Sequence, residues 1–338
     1  MGSNWRRGLG ISVSLSILAA LVLIWKTVDL KAVKNLDLLA SGYLGLAAAM
    51  LLLAIGLEGR RISLLTRAMG TSLGWFRGCT LFLSCTFAQL VTPMGLGEVP
   101  ALAYLLNKNG LKLGTSVAAA VIRSFTTKLV FSAGVFWLFF YARGRVEYGP
   151  VTSEIFTVVA LFFAVTLVVN AAYVLYPRGV QAVFAWFPAK WQRGRVARWQ
   201  EQLATEAQEF AAGLRLLRAG GPLLFVRLIL LSVVFWLAWF GMLPVLARGL
   251  GARTDPLSLI SSQFVLTLAL PYIPVPGASG ALELAMAGMY RGIVPRAVLG
   301  LLILSWRFYT YYLILILGAV SALGALWGRN KISGETVA

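Results

Sequence analysis

The nine residues TPMGLGEVP, 92–100, close a long apolar run with two prolines, two glycines and a glutamate. A second stretch, PVPGASGALE at 274–283, does the same after another apolar run. The runs that feed them, FRGCTLFLSCTFAQLVT (76–92) and LSLISSQFVLTLALPYI (257–273), are 17 residues each and dotted with polar groups. The stretches that follow, ALAYLLNKNG and LAMAGMYRGIVP, are too brief to span a bilayer, which takes about 20 residues of helix. Run, break and short return together predict a re-entrant helical hairpin at each place, about 76–106 and about 257–290.

The rest of the chain writes membrane. Its 338 residues are 59% hydrophobic with a mean hydropathy of +0.82, and the apolar residues come in blocks. Full crossings are predicted at 9–28, 38–57, 114–142, 151–176, 222–248 and 297–326. All are expected to be helices, because an unpaired strand edge has no partner in lipid. The predicted fold is an all-α integral membrane protein of about six transmembrane helices plus two re-entrant hairpins. The first block, ISVSLSILAALVLIW after Arg6 and Arg7, lacks a small-residue cleavage site and is read as a mature helix. Cys79 and Cys85 stand six residues apart in an apolar segment and are read as packing residues.

Charge orients the chain. With both hairpins returning to the side they entered from, 17 Lys/Arg fall on the side of the termini and 9 on the other, with Arg123, Lys128, Arg227 and Arg307 inside spans. The positive-inside rule then places both termini in the cytoplasm. The net charge of +18 is assigned to anionic headgroups beside cytoplasmic loops, with no nucleic acid implied.

The same topology makes the chain one membrane domain, 1–338, with an internal repeat. Glu98 is followed 25 residues later by Arg123 in AVIRSFTTKLVF, and Glu283 is followed 24 residues later by Arg307 in ILSWRFYTYYLI. Three crossings separate the hairpins, so they open from opposite sides, an inverted repeat of 30–142 and 222–326. Between them, 177–221 reads as an amphipathic cytoplasmic connector, with Val196, Trp199, Leu203, Phe210, Leu214 and Leu217 at helical steps.

Within a bilayer, irregular backbone is tolerated where it is buried in protein or lines a cavity. Glycine permits the turn, and proline leaves carbonyls free to face a ligand. The hairpin residues singled out are Thr92, Pro93, Gly95, Gly97, Pro274, Pro276, Gly277 and Gly280. A glutamate at such a break suits either a structural ion pair with an arginine or the handling of a substrate amine or a proton. Glu98 and Glu283 are the two acids placed there. Arg123 and Arg307 suit bidentate contact with a phosphate, and Lys128 joins them as a transport candidate. Arg307 lies deep enough to face a cavity, whereas Arg123 and Lys128 sit near the cytoplasmic end of their span, within snorkelling reach. Arg227 reads as an interfacial anchor, and Trp306, Tyr309, Tyr311 and Tyr312 as packing aromatics.

Enzymatic readings find little. GASG at 277–280 imitates a serine-protease motif, yet the chain has no histidine to serve as base, which also removes histidine metal ligands. No Walker A or D-x-D pattern occurs. Catalysis, cofactors and metals are therefore not expected.

LVTPMGLGEVPALAYLLNKNG, PVPGASGALELA and SWRFYTYYLILILG resemble segments of the lysylphosphatidylglycerol synthase transmembrane-region family, over about 10–326. Leu96–Gly97 departs from the Gly-Gly pair more usual there. The resemblance implies a flippase-like domain that moves phospholipid, notably anionic or aminoacylated phosphatidylglycerol, without ATP. It implies motif roles for Pro93, Gly97, Glu98, Pro276, Gly277, Gly280 and Glu283. The family's soluble aminoacyl-transferring part has no counterpart in the sequence, so the chain is expected not to make such lipids itself. Membrane lipids are the expected partners, with a homo-oligomer or a separate lipid-modifying enzyme as further ones. A small-solute or ion-coupled transporter, and a non-transporting partner of such an enzyme, are the alternatives.

Overall fold

The computed structural model describes residues 41–137, 208–269 and 273–327, with scattered helical positions between 161 and 168. The predicted crossings at 9–28 and, apart from those positions, 151–176 lie outside the described residues. So do residues 177–207 of the connector. Every regular element described is helical. Among the described residues, four helices are long and apolar enough to span a membrane: Gly42–Ala68, Leu113–Gly134, Gly221–Gly249 and Arg296–Ala325.

The elements fall into two matched series. In the first, α1 (Ser41–Ala68) leads to α2 (Trp75–Val91), a 3₁₀ turn (Pro93–Gly95), α3 (Glu98–Lys108) and α4 (Leu113–Trp137). In the second, α5 (Gly221–Gly249) leads to α6 (Pro256–Ala269), a 3₁₀ turn (Pro276–Ala278), α7 (Ala281–Tyr290) and α8 (Arg296–Arg307). A π-helical turn, Phe308–Leu313, carries α8 into α9 (Ile314–Trp327). The breaks have one cause in both series. Proline cannot donate an amide to the preceding turn, and the next two residues take positive φ, Met94 (57°) and Gly95 (67°) in one, Gly277 (60°) and Ala278 (49°) in the other. A right-handed helix cannot pass through such a pair.

One boundary differs from the sequence expectation of 38–57, and the difference matters. Helix α1 does not stop before Glu58 but runs eleven residues further, to Ala68. The charges do not end it because Glu58 and Arg61, one turn apart, bond each other and are each only 1% exposed. Gly70 (φ 83°) closes the end of α1, as Gly251 (φ 74°) closes α5. Counted back from those glycines, the places of Glu58 and Arg61 are held in α5 by Trp239 and Met242.

Helices α1 and α5 pack against each other, α1 also packs on α2, and the two 3₁₀ turns touch. The α1–α2 crossing is backbone to backbone. A Cβ on Gly78 would stand 2.2 Å from the Gly59 carbonyl oxygen, and one on Gly59 would stand 2.3 Å from Cys79 Sγ. Small residues permit this approach where no apolar solvent effect drives helices together. Cys79 and Cys85 are both free thiols.

The outer seams are matched but unequal. Gly134 and Gly318 each lie eleven residues after their arginine. At Gly318, α9 lies on the α2 backbone, where a Cβ would stand 2.7 Å from the Leu83 carbonyl oxygen. At Gly134 the neighbour is the ring of Phe264 on α6, 2.3 Å from where a Cβ would be. Phe131, Phe240, Trp236 and Phe264 fill this second seam with edge-on and tilted ring contacts.

The described end of the connector, helical at 208–219, buries Phe210, Leu214 and Leu217. Gly213 faces Thr115 and Ala118, and Glu209 pairs with Lys112 at 3.3 Å. At these positions the apolar stripe covers the start of α4 and does not lie on a lipid surface.

Candidate functional site

The first turn is held by one hydroxyl. Thr92 Oγ1 donates to the Ala88 carbonyl and accepts the Gly97 amide, both at 2.8 Å. A Cβ on Gly97 would stand 2.5 Å from the Ala88 oxygen, so glycine is required for α3 to start this close to the end of α2. Replacing Thr92 by Val keeps the shape and strands the Gly97 amide. It is expected to cost about 1–2 kcal/mol in thermal unfolding of the detergent-solubilised protein, with Thr92→Ser close to wild type.

The second turn is held differently. The Gly280 amide donates to Glu283 Oε2 at 2.8 Å, while Gly277 sits under the ring of Tyr311. A Cβ on Gly277 would meet that ring at 2.5 Å and the Leu90 carbonyl oxygen of α2 at 3.2 Å. Pro93 and Pro276 open the two turns at corresponding places. Pro274 is exposed and precedes the turn.

The charged residues assemble around these breaks. Arg123 on α4 bonds two carboxylates at once, Glu58 at 2.7 Å and Glu98 at 2.6 Å. Glu58 shares its other oxygen with Arg61 at 2.5 Å, and Arg61 reaches across to the Arg123 carbonyl and to the hydroxyls of Thr126 and Thr127. Arg123 was expected within snorkelling reach of the interface, but the structure buries it between two acids. In the second series of helices, Arg307 bonds Glu283 at 2.7 Å and lies over the Tyr311 ring, 4.2 Å from its centre. The pairing Glu98 to Arg123 is thus matched by Glu283 to Arg307. The first pair carries two further charges, whereas the second carries a ring. Glu98 remains 27% exposed through its side chain, and Glu283 only 1%.

A cavity of about 340 Å³ lies between the two turns. Glu98, Arg123, Lys128 and Arg307 reach its wall with Gly95 and Gly277, together with the aromatic side chains of Phe131, Trp236, Trp239 and Trp306. Thr92, Pro93, Gly97, Pro274, Pro276, Gly280 and Glu283 do not line it; apart from Pro274 they shape the turns behind the wall. Lys128 makes no ion pair or hydrogen bond through its ammonium among the described residues, and Arg227 is exposed.

Sequence reasoning missed Glu58, Arg61 and Tyr311. The crossing predicted at 38–57 leaves Glu58 and Arg61 just outside its helix. The available signal was the apolar spacing Ile62, Leu65, Met69, which continues the helix beyond them. Tyr311 lies four residues after Arg307, which is the neighbouring position on a helix.

Residues 9–318 match the family described as the Lysylphosphatidylglycerol synthase TM region. A UPF0104 membrane protein of Archaeoglobus fulgidus is 24% identical over 322 residues, covering 93% of this chain and 95% of the relative. No solved structure matches the chain. With the family match spanning nearly the whole sequence and the motif residues gathered at the two helix breaks, this multi-pass membrane protein belongs to the lysylphosphatidylglycerol synthase transmembrane-region family.

Proposed function

We propose that the chain is a lipid translocase of a bacterial inner membrane, not an enzyme, moving a phospholipid headgroup through the cavity between its two repeats without ATP. The observation that supports it is a cavity lined by both charged and aromatic side chains, lodged between two broken helices. A headgroup needs the charged groups, and a glycerol backbone with its acyl chains tolerates the rings.

Helix length supports the hairpins. At about 1.5 Å per residue, α3 and α7 reach only about 15–17 Å, half of a hydrocarbon core of about 30 Å. They also pack against α2 and α6 respectively, as the arms of a hairpin do. On this reading the two hairpins enter from opposite faces and meet near the midplane, where inverted-repeat transporters place their sites. Both termini lie in the cytoplasm, the connector joins the repeats there, and a gradient or none drives the movement. Membrane lipids are the partners, and a separate lipid-modifying enzyme would supply any modified lipid.

Reconstitution into liposomes with headgroup-labelled lipids tests this. Selective loss of label protection for one headgroup class is the expected result. Folded protein that moves none of them would remove the reading in favour of a small-solute transporter.

A further inference from the structure

A proline stands inside α5, and what it leaves undone reaches the cavity. Pro244 has no amide to donate, so the Phe240 carbonyl four residues earlier is released from the helical ladder. A buried carbonyl in that position needs a donor from elsewhere. Helix α6 supplies one. Gln263 is 2% exposed, and its side-chain amide lies between the Phe240 carbonyl and the indole of Trp306 on α8. One orientation of the amide suits both neighbours: its NH₂ donates to the Phe240 oxygen at 3.2 Å, and its oxygen accepts the Trp306 indole N–H at 3.1 Å. A single side chain thus ties three helices together.

The far end of this chain is a cavity residue. Trp306 immediately precedes Arg307, is buried, and lines the cavity beside it. An indole turns about two side-chain torsions, and a hydrogen bond at its nitrogen holds both. The arrangement belongs to the second series of helices alone. In the first, α1 contains no proline, and the residue before Arg123 is Ile122, which does not line the cavity.

Resting on the translocase reading, we propose that Gln263 is a positioning residue of the transport cavity, acting through Trp306 to fix the indole as the part of the wall beside Arg307 that a passing lipid meets. Its other end is made fast by the carbonyl that Pro244 sets free. The role is distinct from support of the fold, because the two ends of the amide can be tested separately.

The full chain serves throughout. Movement is read with headgroup-labelled phosphatidylglycerol in liposomes, and stability by thermal unfolding in detergent. Ring position is read by fluorine NMR of fluorotryptophan-labelled protein, the Trp306 resonance being assigned by its loss in Trp306→Phe. Gln263→Leu is expected to slow movement about tenfold, to lower the unfolding temperature and to shift or broaden the Trp306 resonance. Adding Pro244→Ala returns an amide to α5 for the Phe240 carbonyl. This double variant is expected to regain much of the stability while movement stays slow and the resonance stays displaced, since the indole still lacks its acceptor. Trp306→Phe, which keeps a ring and loses the N–H, is expected to slow movement about as much, with little further loss when Gln263→Leu is added; it carries the test should Gln263→Leu alone not fold. Movement that recovers together with stability in the double variant, or wild-type movement in Trp306→Phe, overturns the positioning role. So does a Trp306 resonance that Gln263→Leu leaves in place, whatever the transport result. Folded wild-type protein that moves no lipid overturns the translocase reading instead, and the resonance then still decides whether Gln263 pins the ring.

Discussion

Glu58→Gln is expected to be the most damaging single substitution in the charged network, by about 3–5 kcal/mol, because it removes half the negative charge that two buried arginines share. Glu98→Gln removes one bond from a carboxylate that is partly exposed and is expected to cost about 1–2 kcal/mol. Thermal unfolding in detergent should therefore rank Glu58→Gln well below Glu98→Gln, although Glu98 is the acid at the helix break. The second series of helices indicates a rescue. Its α5 manages without acid or base at the corresponding places, where Trp239 and Met242 stand. Glu58→Gln combined with Arg61→Met takes the surplus cation away together with the lost anion, and is expected to recover most of the stability. A double variant no better than Glu58→Gln alone would show that Arg61 contributes through its bonds to α4 and not through charge balance.

Gly277→Val is expected to abolish lipid movement and to destabilise the protein by about 2–4 kcal/mol. Two effects coincide at this residue. The backbone holds φ at 60°, which a β-branched residue resists, and the new side chain would occupy the Tyr311 ring. Displacing Tyr311 removes the surface beneath Arg307, so the damage passes from the turn to the charge. Tyr311→Phe separates the contributions: it keeps the ring under the guanidinium, loses the hydroxyl beside Ser279, and is expected to retain transport. Loss of transport in Tyr311→Phe with unchanged unfolding would assign the role to the hydroxyl instead.

The pieces legible in the sequence were those that break a pattern. Pro93 and Pro276 interrupt apolar runs, and the structure places a 3₁₀ turn at each. The separations from Glu98 to Arg123 and from Glu283 to Arg307 suggested an acid and a base in each repeat, and the structure bonds both pairs. What stayed hidden was whatever continued a pattern while changing its chemistry. Glu58 and Arg61 sit inside a helix, but an averaged hydropathy treats a charge satisfied by a neighbouring helix as it treats one bathed in water. The two motifs also differ in register, five residues from Pro93 to Glu98 against seven from Pro276 to Glu283, and the difference has a physical cause. Glu98 is the first residue of its helix and Glu283 the third, and the Gly280 amide occupies the second oxygen of Glu283. Which residues line the cavity was not legible, because lining depends on how α4 and α6 pass each other, and sequence spacing within either helix is silent on that.

The seams at Gly134 and Gly318 are unequal in what fills them. Where α9 meets α2, a Cβ on Gly318 would meet the Leu83 carbonyl oxygen and the Phe87 Cβ, both at 2.7 Å, whereas where α4 meets α6 the atoms facing Gly134 belong to one phenyl ring, Phe264. Backbone cannot be trimmed by substitution and a ring can. The spacing of one seam is thus fixed by the main chain, and that of the other hangs on the identity of a single side chain, which makes residue 264 the place where a change of size would alter one half of the molecule and leave the other as it is.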